Sequence, residues 1–336
     1  MQAIQLHAAN LHAFQTNQLA EPELTQGKLI LRMHAATLNY LDIAVQQGRF
    51  PVPAYPFIPV ADGAGEIVAM AEDVEGFVVG DRVIPHFMPA WLDGAVTVEK
   101  LAAMRGINLP GSLVEYLAVP ANSVVKIPQH LNYLQAASLP VAATTAWNAV
   151  RAVTIGAHSK VLIFGTGGVS IFALQFAKAL GAEVIITSSS DEKLVRAKSL
   201  GADHVVNYQK NSDWPEQIKE VTAGRGVDLV IDTVGGQNFL HALELAAIGG
   251  AVFAVGFING QQCQLNLMTI ITKALRVFGN NTGSVADLRS AVNFIEQQQL
   301  QVQIDKVYSS QDIVAAYTDL SAGSRHFGKL AIQLEF

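Results

Sequence analysis

Between residues 160 and 180 the chain reads KVLIFGTGGVSIFALQFAKAL: a short apolar run, a glycine turn, then a helix-length stretch. Few sequences constrain a fold more. Glycines where a strand turns into a helix let the backbone approach a pyrophosphate, and the helix N-terminus adds amide donors and the positive end of its dipole. Gly165, Gly167, Gly168 and Val169 are therefore candidate phosphate-binding residues. The third glycine of a GxGxxG pattern is Ser170 here, so the strict motif is not met, and the strand before and helix after carry the reading. The alternative is a tight glycine turn without a ligand.

The same alternation continues. AEVIITS, HVVNY, VDLVIDTV and AVFAVGF are short apolar strands separated by helix-like segments such as DEKLVRAKSLG. Apolar strands buried on both faces and alternating with helices describe a doubly wound parallel sheet. The first part of the chain differs: LILRMHAATL, GEIVAMA, DRVIPHF and EYLAVP are β-rich runs between Pro and Gly turns, without long helices, as in a mainly β domain. After Gln264, LRSAVNFIEQQQL and IVAAYTDLSAG read as helices and KLAIQLEF as a strand that returns to the first domain. The expected organisation is α/β: a discontinuous domain of residues 1–122 and 265–336, and a dinucleotide-binding domain of residues 123–264. A length of 336 residues suits two cores.

The second strand of the parallel sheet ends in Ser188, followed by Ser189, Ser190, Asp191, Glu192 and Lys193. An NAD site wants a carboxylate at that strand end to accept the ribose 2′-hydroxyl. A carboxylate would repel a 2′-phosphate, whereas the Ser188 hydroxyl can donate to it and Lys193 can pair with it, so the pocket favours NADPH. Asp191 and Glu192 weigh against this, and Lys193 has an ordinary reading as a solvated charge on the first turn of a helix.

A net charge of −6 leaves no basic surplus to neutralise a nucleic-acid backbone, so a small-molecule partner is expected and nucleic acid is not. The most apolar stretch, from about Ala242 to Ile258, contains Glu244 and the glycines 249, 250 and 256 and falls short of a bilayer span. With one cysteine, Cys263, and a start that lacks the regions of a signal peptide, the expected location is cytoplasmic.

Taken together, GTGGVS, SSSDEK, LGADHVVNY and VDLVIDTVGG, with LNYLDIAVQQGRFP, ADGAGEIVA, EGFVVGDRVIP, VEYLAVP and SLPVAATTAWNAV in one order, resemble the quinone oxidoreductase and zinc-type alcohol dehydrogenase-like branch of the medium-chain dehydrogenase/reductase superfamily. The resemblance runs nearly end to end. It implies a GroES-like mainly β catalytic domain with a Rossmann domain inserted, and a homodimer formed through the sheet edge. It also implies cofactor contacts from Thr145, Tyr208, Val234, Gly256, Phe257 and Lys329. Without the resemblance, Val234 and Phe257 would read as core, Gly256 as a turn and Lys329 as a surface charge.

In zinc-dependent relatives a Cys, a His and a second Cys hold the catalytic ion, and those places carry Asn39, Ala61 and Val141 here. The stretch from about Phe87 to Gly111, where such relatives place four structural cysteines, has none. No zinc is expected. Without a Lewis acid, a quinone or an α,β-unsaturated carbonyl, which delocalises the arriving charge itself, is the natural acceptor. Asn39, whose amide can donate, and Tyr40, whose phenol can donate a hydrogen bond or a proton, are the catalytic candidates. Asp42 reads as structural. Phe50, where many quinone reductases of this branch carry a tyrosine, and His86, Phe87 and Trp91 are candidate walls of the acceptor pocket. The expected function is NADPH-dependent hydride transfer to such an acceptor. The alternatives are a zinc-free alcohol or aldehyde oxidoreductase and an NADPH-binding protein with vestigial activity.

Overall fold

The protein is described from a computed structural model covering residues 1–323 and 326–336. It divides into two compact units, residues 1–144 with 283–336 and residues 145–282.

In the first unit, β1 (Gln2–Leu6) and β2 (Phe14–Gln18) form an antiparallel pair. The long β3 (Lys28–Thr37) runs into α1 (Tyr40–Gln46) and returns as β4 (Asp62–Met70) and β5 (Arg82–Pro85). A short α2 (Val98–Leu101) interrupts the cysteine-free loop, followed by β6 (Tyr116–Pro120), β7 (Val124–Lys126) and α3 (Tyr133–Ala136). The strands alternate: in β4, Ile67 is fully buried and Val68 exposed, as a sheet with one covered face requires.

In the second unit, α4 (Thr144–Arg151), whose first residue belongs to the other unit, leads to β8 (Lys160–Phe164), α5 (Gly168–Ala179), β9 (Glu183–Ser188), α6 (Asp191–Ser199) and β10 (His204–Asn207). Then come α7 (Trp214–Val221), β11 (Val227–Asp232), α8 (Asn238–Leu245), β12 (Ala246–Ala254), α9 (Leu267–Lys273) and β13 (Arg276–Gly279). All pairings are parallel, in the order β10-β9-β8-β11-β12-β13. Strand order therefore reverses between β8 and β11, and in such sheets ligands bind beyond the carboxyl ends at that reversal. In β8 the last four residues are buried, the burial on both faces that helix-covered strands need.

The chain then returns to the first unit through α10 (Val285–Gln297), β14 (Ile304–Ser309), α11 (Ile313–Ser321) and β15 (Lys329–Gln333). Helix α10 buries Val285, Leu288, Ala291, Val292 and Ile295, one stripe at helical spacing, and Ser284 caps it through Asp287 N at 3.1 Å. Strand β15 pairs antiparallel with β3 and parallel with β14.

The boundaries fall after residues 144 and 282, not after 122 and 264 as the sequence suggests. Residues 123–144 belong to the mainly β unit, because β7 pairs with β5. Residues 265–282 belong to the parallel sheet, because β13 adds to β12 as its sixth strand. That strand is four residues long with mostly exposed side chains, so it lacks the apolar run that marks its neighbours.

Candidate active site

Two sets of residues carry chemistry, one in each unit. In the second unit the turn after β8 places Gly165 at φ 75°, a backbone region that favours glycine. Gly167 caps α5 without any side-chain acceptor, and a Cβ built on it would meet nothing within 4 Å. The first turn of α5, at Gly168 and Val169, therefore receives no side-chain cap from Gly167. Ser170 takes the third glycine's place without strain: it is buried and donates to Phe164 O at 2.9 Å, with its oxygen 3.2 Å from Thr233 Oγ1. Thr233, which also donates to Phe164 O at 2.6 Å, ties the ends of β8 and β11 at the strand reversal.

The other expected cofactor residues apart from Lys329 lie in the same unit. Ser188 is the last residue of β9 and is buried, and its hydroxyl accepts from Ser190 N at 3.3 Å. Ser190 caps α6, and Lys193 lies on the first turn, 9% exposed. Tyr208 follows β10, half exposed, with its N–H on Ser188 O at 3.2 Å. Asp191, one of the two acids that weighed against a phosphate, is paired with Lys210 and Asn207, and the Lys210 hydrogen bond holds its carboxyl below the ordinary range. Beyond β11, Asp232 Oδ1 accepts from Val234 N and Gly235 N, both at 2.9 Å, while burial raises its pKa. Gly256 N and Val255 N both reach Asp232 O, and a Cβ on Gly256 would lie 1.8 Å from Thr233 O, so no other residue fits there. Phe257 follows directly, and Thr145 is buried in α4. The turn, its amides and the serine-bearing strand end fit a nicotinamide dinucleotide.

In the first unit the structure gathers a buried polar cluster. Asp62, fully buried at the start of β4, accepts from Asn39 Nδ2 at 2.8 Å, Val141 N at 3.0 Å, Lys329 Nζ at 3.3 Å and Thr37 Oγ1 at 3.4 Å. Lys329, 3% exposed, also donates to Asn39 Oδ1 at 2.6 Å. Asn39, just before α1, is therefore clamped from both ends of its amide. Asp42 anchors the same turn, accepting from Asn39 N at 2.7 Å and Ala61 N at 3.1 Å, the structural role read from the sequence. Burial pushes Asp42 up to about 7, against those two backbone N–H groups. Burial also raises Asp62 and lowers Lys329, and each partner's charge opposes the other's shift. Tyr40 begins α1, its hydroxyl accepting from Arg49 at 3.2 Å and its ring under the guanidinium at 5.2 Å. Of the expected cofactor residues, Lys329 is the one the structure assigns to this cluster, its ammonium already engaged.

Beside the cluster lies a small apolar core of Val45, Ala61, Phe87, Met88, Trp91 and Ile107, against which Phe50 and Val141 pack. The pocket candidates Phe50, Phe87 and Trp91 thus come together, with Trp91 Nε1 donating to Gly94 O at 2.9 Å. His86 is fully buried nearby. The residues at the three metal-ligand places do not fit zinc: Ala61 and Val141 are apolar and packed, and Asn39 already holds an ammonium that would repel a dication. Among the described residues no group of three or more His, Cys, Asp or Glu could hold a metal ion, and no helix is long and apolar enough to cross a membrane. Sequence reasoning missed Asp62; its signal was a carboxylate next to the apolar PVA of PVADGAGEIVA, a segment whose other charge is Glu66.

Comparison with known proteins agrees with this architecture. Residues 25–129 match the alcohol dehydrogenase GroES-like domain, and residues 168–297 match the zinc-binding dehydrogenase domain. A zinc-type alcohol dehydrogenase-like protein of Schizosaccharomyces pombe is 36% identical over 93% of this chain and 92% of its own length. The crystal structure of a provisionally assigned alcohol dehydrogenase from Sinorhizobium meliloti 1021 superposes with a TM-score of 0.92 at 34% identity, covering 99% of this chain and 98% of that one. A quinone oxidoreductase of Pseudomonas syringae pv. Tomato DC3000 superposes with a TM-score of 0.83 at 26% identity, covering 99% of both chains. The chain belongs to the medium-chain dehydrogenase/reductase, zinc-type alcohol dehydrogenase-like family, whose members are nicotinamide-dependent oxidoreductases.

Removing one partner of a buried ion pair strands the other charge, at a cost of about 3–5 kcal/mol. Lys329→Met is expected to lose that much stability in urea denaturation, and adding Asp62→Asn to restore most of it. Asp42 gives a second signature. Its pKa is raised in the folded state, so its contribution to stability is full below about pH 4 and is lost as pH rises to about 7. Denaturation across that range should show wild-type stability falling relative to Asp42→Asn as pH increases.

Proposed function

We propose that the protein is a metal-free, NADPH-dependent reductase of quinones or α,β-unsaturated carbonyl compounds. The observation that carries this reading is the place where relatives hold zinc: an apolar wall of Ala61 and Val141 on one side, an asparagine clamped between an ammonium and a carboxylate on the other. Nothing there can stabilise an alkoxide as a Lewis acid does, so the acceptor must delocalise the arriving charge itself. The likeness to a quinone oxidoreductase supports the same chemistry.

Bound NADPH supplies the hydride. The turn of Gly165, Gly167, Gly168 and Val169 holds the pyrophosphate, Ser188 and Lys193 receive the 2′-phosphate, and Tyr208, Val234, Gly256, Phe257 and Thr145 border the remainder. Asn39 keeps one amide hydrogen beyond the one given to Asp62, and this and the Tyr40 hydroxyl are the donors offered to the acceptor oxygen. Phe50, His86 and Trp91 shape the pocket and exclude water. The protein works as a cytoplasmic homodimer, a second copy pairing along the outer edge of β13, without nucleic-acid or membrane partners.

The test follows the loss of reduced-nicotinamide absorbance with NADPH and NADH against quinones, enones and aldehydes. NADPH is expected to be preferred. Lys193→Ala should raise KM for NADPH about 10-fold or more, the effect of one charge-assisted contact, with little change for NADH. A preference for NADH in the wild type, or turnover of simple alcohols only, contradicts the reading.

A further inference from the structure

Among the described residues, Arg105 is a charge without a counter-charge. It lies in the loop between α2 and β6, 3% exposed, and its N–H donates to Phe87 O at 2.9 Å. Its guanidinium makes one hydrogen bond among the described residues, from Nη1 to Pro110 O at 3.3 Å, and its Nε is buried without a partner. No carboxylate offsets the burial, which lowers its pKa to about 10. A buried, unpaired guanidinium is costly to maintain, and the planar fork is suited to an oxyanion.

A second orphaned donor lies close by. His86, fully buried, has Nδ1 2.9 Å from Met88 N and 3.0 Å from Met88 O. The Met88 N–H can only donate, which assigns Nδ1 as acceptor and leaves the proton on Nε2, itself buried without a partner. The Arg105 charge acts on His86: it is among the causes that, after burial, hold His86 down to about 4. The acid whose charge acts on His86, Asp287, already accepts from Ser284 N at 2.8 Å and Ser284 Oγ at 2.7 Å.

Both residues adjoin the acceptor wall. His86 precedes Phe87 and Met88, and Arg105 is followed by Gly106 and Ile107; Phe87, Met88 and Ile107 share the apolar core with Ala61 and Trp91. A Cβ on Gly106 would lie 2.7 Å from Ala61 N, so the arginine-bearing turn rests directly on the backbone of Ala61, one of the three metal-ligand places.

We propose that Arg105, assisted by the Nε2–H of His86, binds a carboxylate carried by the acceptor, so that the preferred substrate is an anionic α,β-unsaturated carbonyl compound. One cationic arginine beside a neutral histidine balances a single negative charge, which matches a carboxylate rather than a doubly charged phosphate. This specificity rests on the reductase reading above. The reaction is 4-oxopent-2-enoate + NADPH + H⁺ → 4-oxopentanoate + NADP⁺: hydride and proton add across the C=C bond, and the carboxylate is unchanged.

The experiment compares 4-oxopent-2-enoate with neutral pent-3-en-2-one, of nearly equal size, in the wild type, Arg105→Met and Arg105→Lys. The wild type should favour the anion in kcat/KM by about 10-fold or more. Arg105→Met should abolish that preference, chiefly through KM for the anion, and Arg105→Lys should retain part of it. Binding is read separately from thermal unfolding with NADPH present: 4-oxopentanoate should raise Tm of the wild type more than pentan-2-one does, and that difference should vanish in Arg105→Met. No anion preference and no such Tm shift in the wild type, or the same values in Arg105→Met, overturn the proposal. If neither enone is reduced, the reductase reading fails, while the Arg105-dependent Tm shift still decides the carboxylate site.

Discussion

The ion pair between Lys329 and Asp62 organises the mainly β unit. Lys329 opens β15 and reaches Asn39, 290 residues earlier in the chain, while Asp62 opens β4 and receives Thr37 from the end of β3 and the backbone of Val141. Four chain segments, around residues 37–39, 62, 141 and 329, thus meet at one carboxylate. A buried pair of this kind contributes little net stability relative to an apolar replacement of the same shape, but its loss on one side is expensive. Its consequence is positional: Asn39 at the head of α1 has one allowed orientation, and β15 must close against β3 for the charges to be satisfied.

The two neighbouring environments arise from adjacent residues. Ala61 and Asp62 are consecutive, and side chains along extended backbone face opposite ways, so one joins the apolar core with Trp91 and Phe87 while the other joins the ion pair. Val141 repeats the division within a single residue, its side chain against the apolar core and its N–H on Asp62. An apolar wall beside a fixed polar group is unsuited to a divalent ion.

Much of this was legible from sequence. The strand, glycine turn and helix around Gly165 stand where the pattern placed them, Ser170 packs as a third glycine would, and KLAIQ returns to pair with β3. The structural reading of Asp42 also agrees with its two backbone partners. What was not legible depends on contacts across long stretches of chain. Lys329 reads as a surface charge or a phosphate ligand until β15 is laid beside β3, and Asp62 has no local partner within twenty residues. Arg105 is equally silent, because burial of a lone arginine follows from the loop around it and leaves no periodic signal. The boundaries shifted for a related reason: β7 and β13 are short strands recognisable only by their partners.

The proposed metal-free reading has the Lys329–Asp62–Asn39 cluster standing where relatives hold zinc. Its most direct test is the zinc content of the purified protein by mass spectrometry after equilibration with zinc and removal of free ion, read beside reductase activity with and without a chelator. Far less than one zinc per chain and activity indifferent to chelation are expected. One tightly held zinc per chain, with activity lost on its removal, would contradict it.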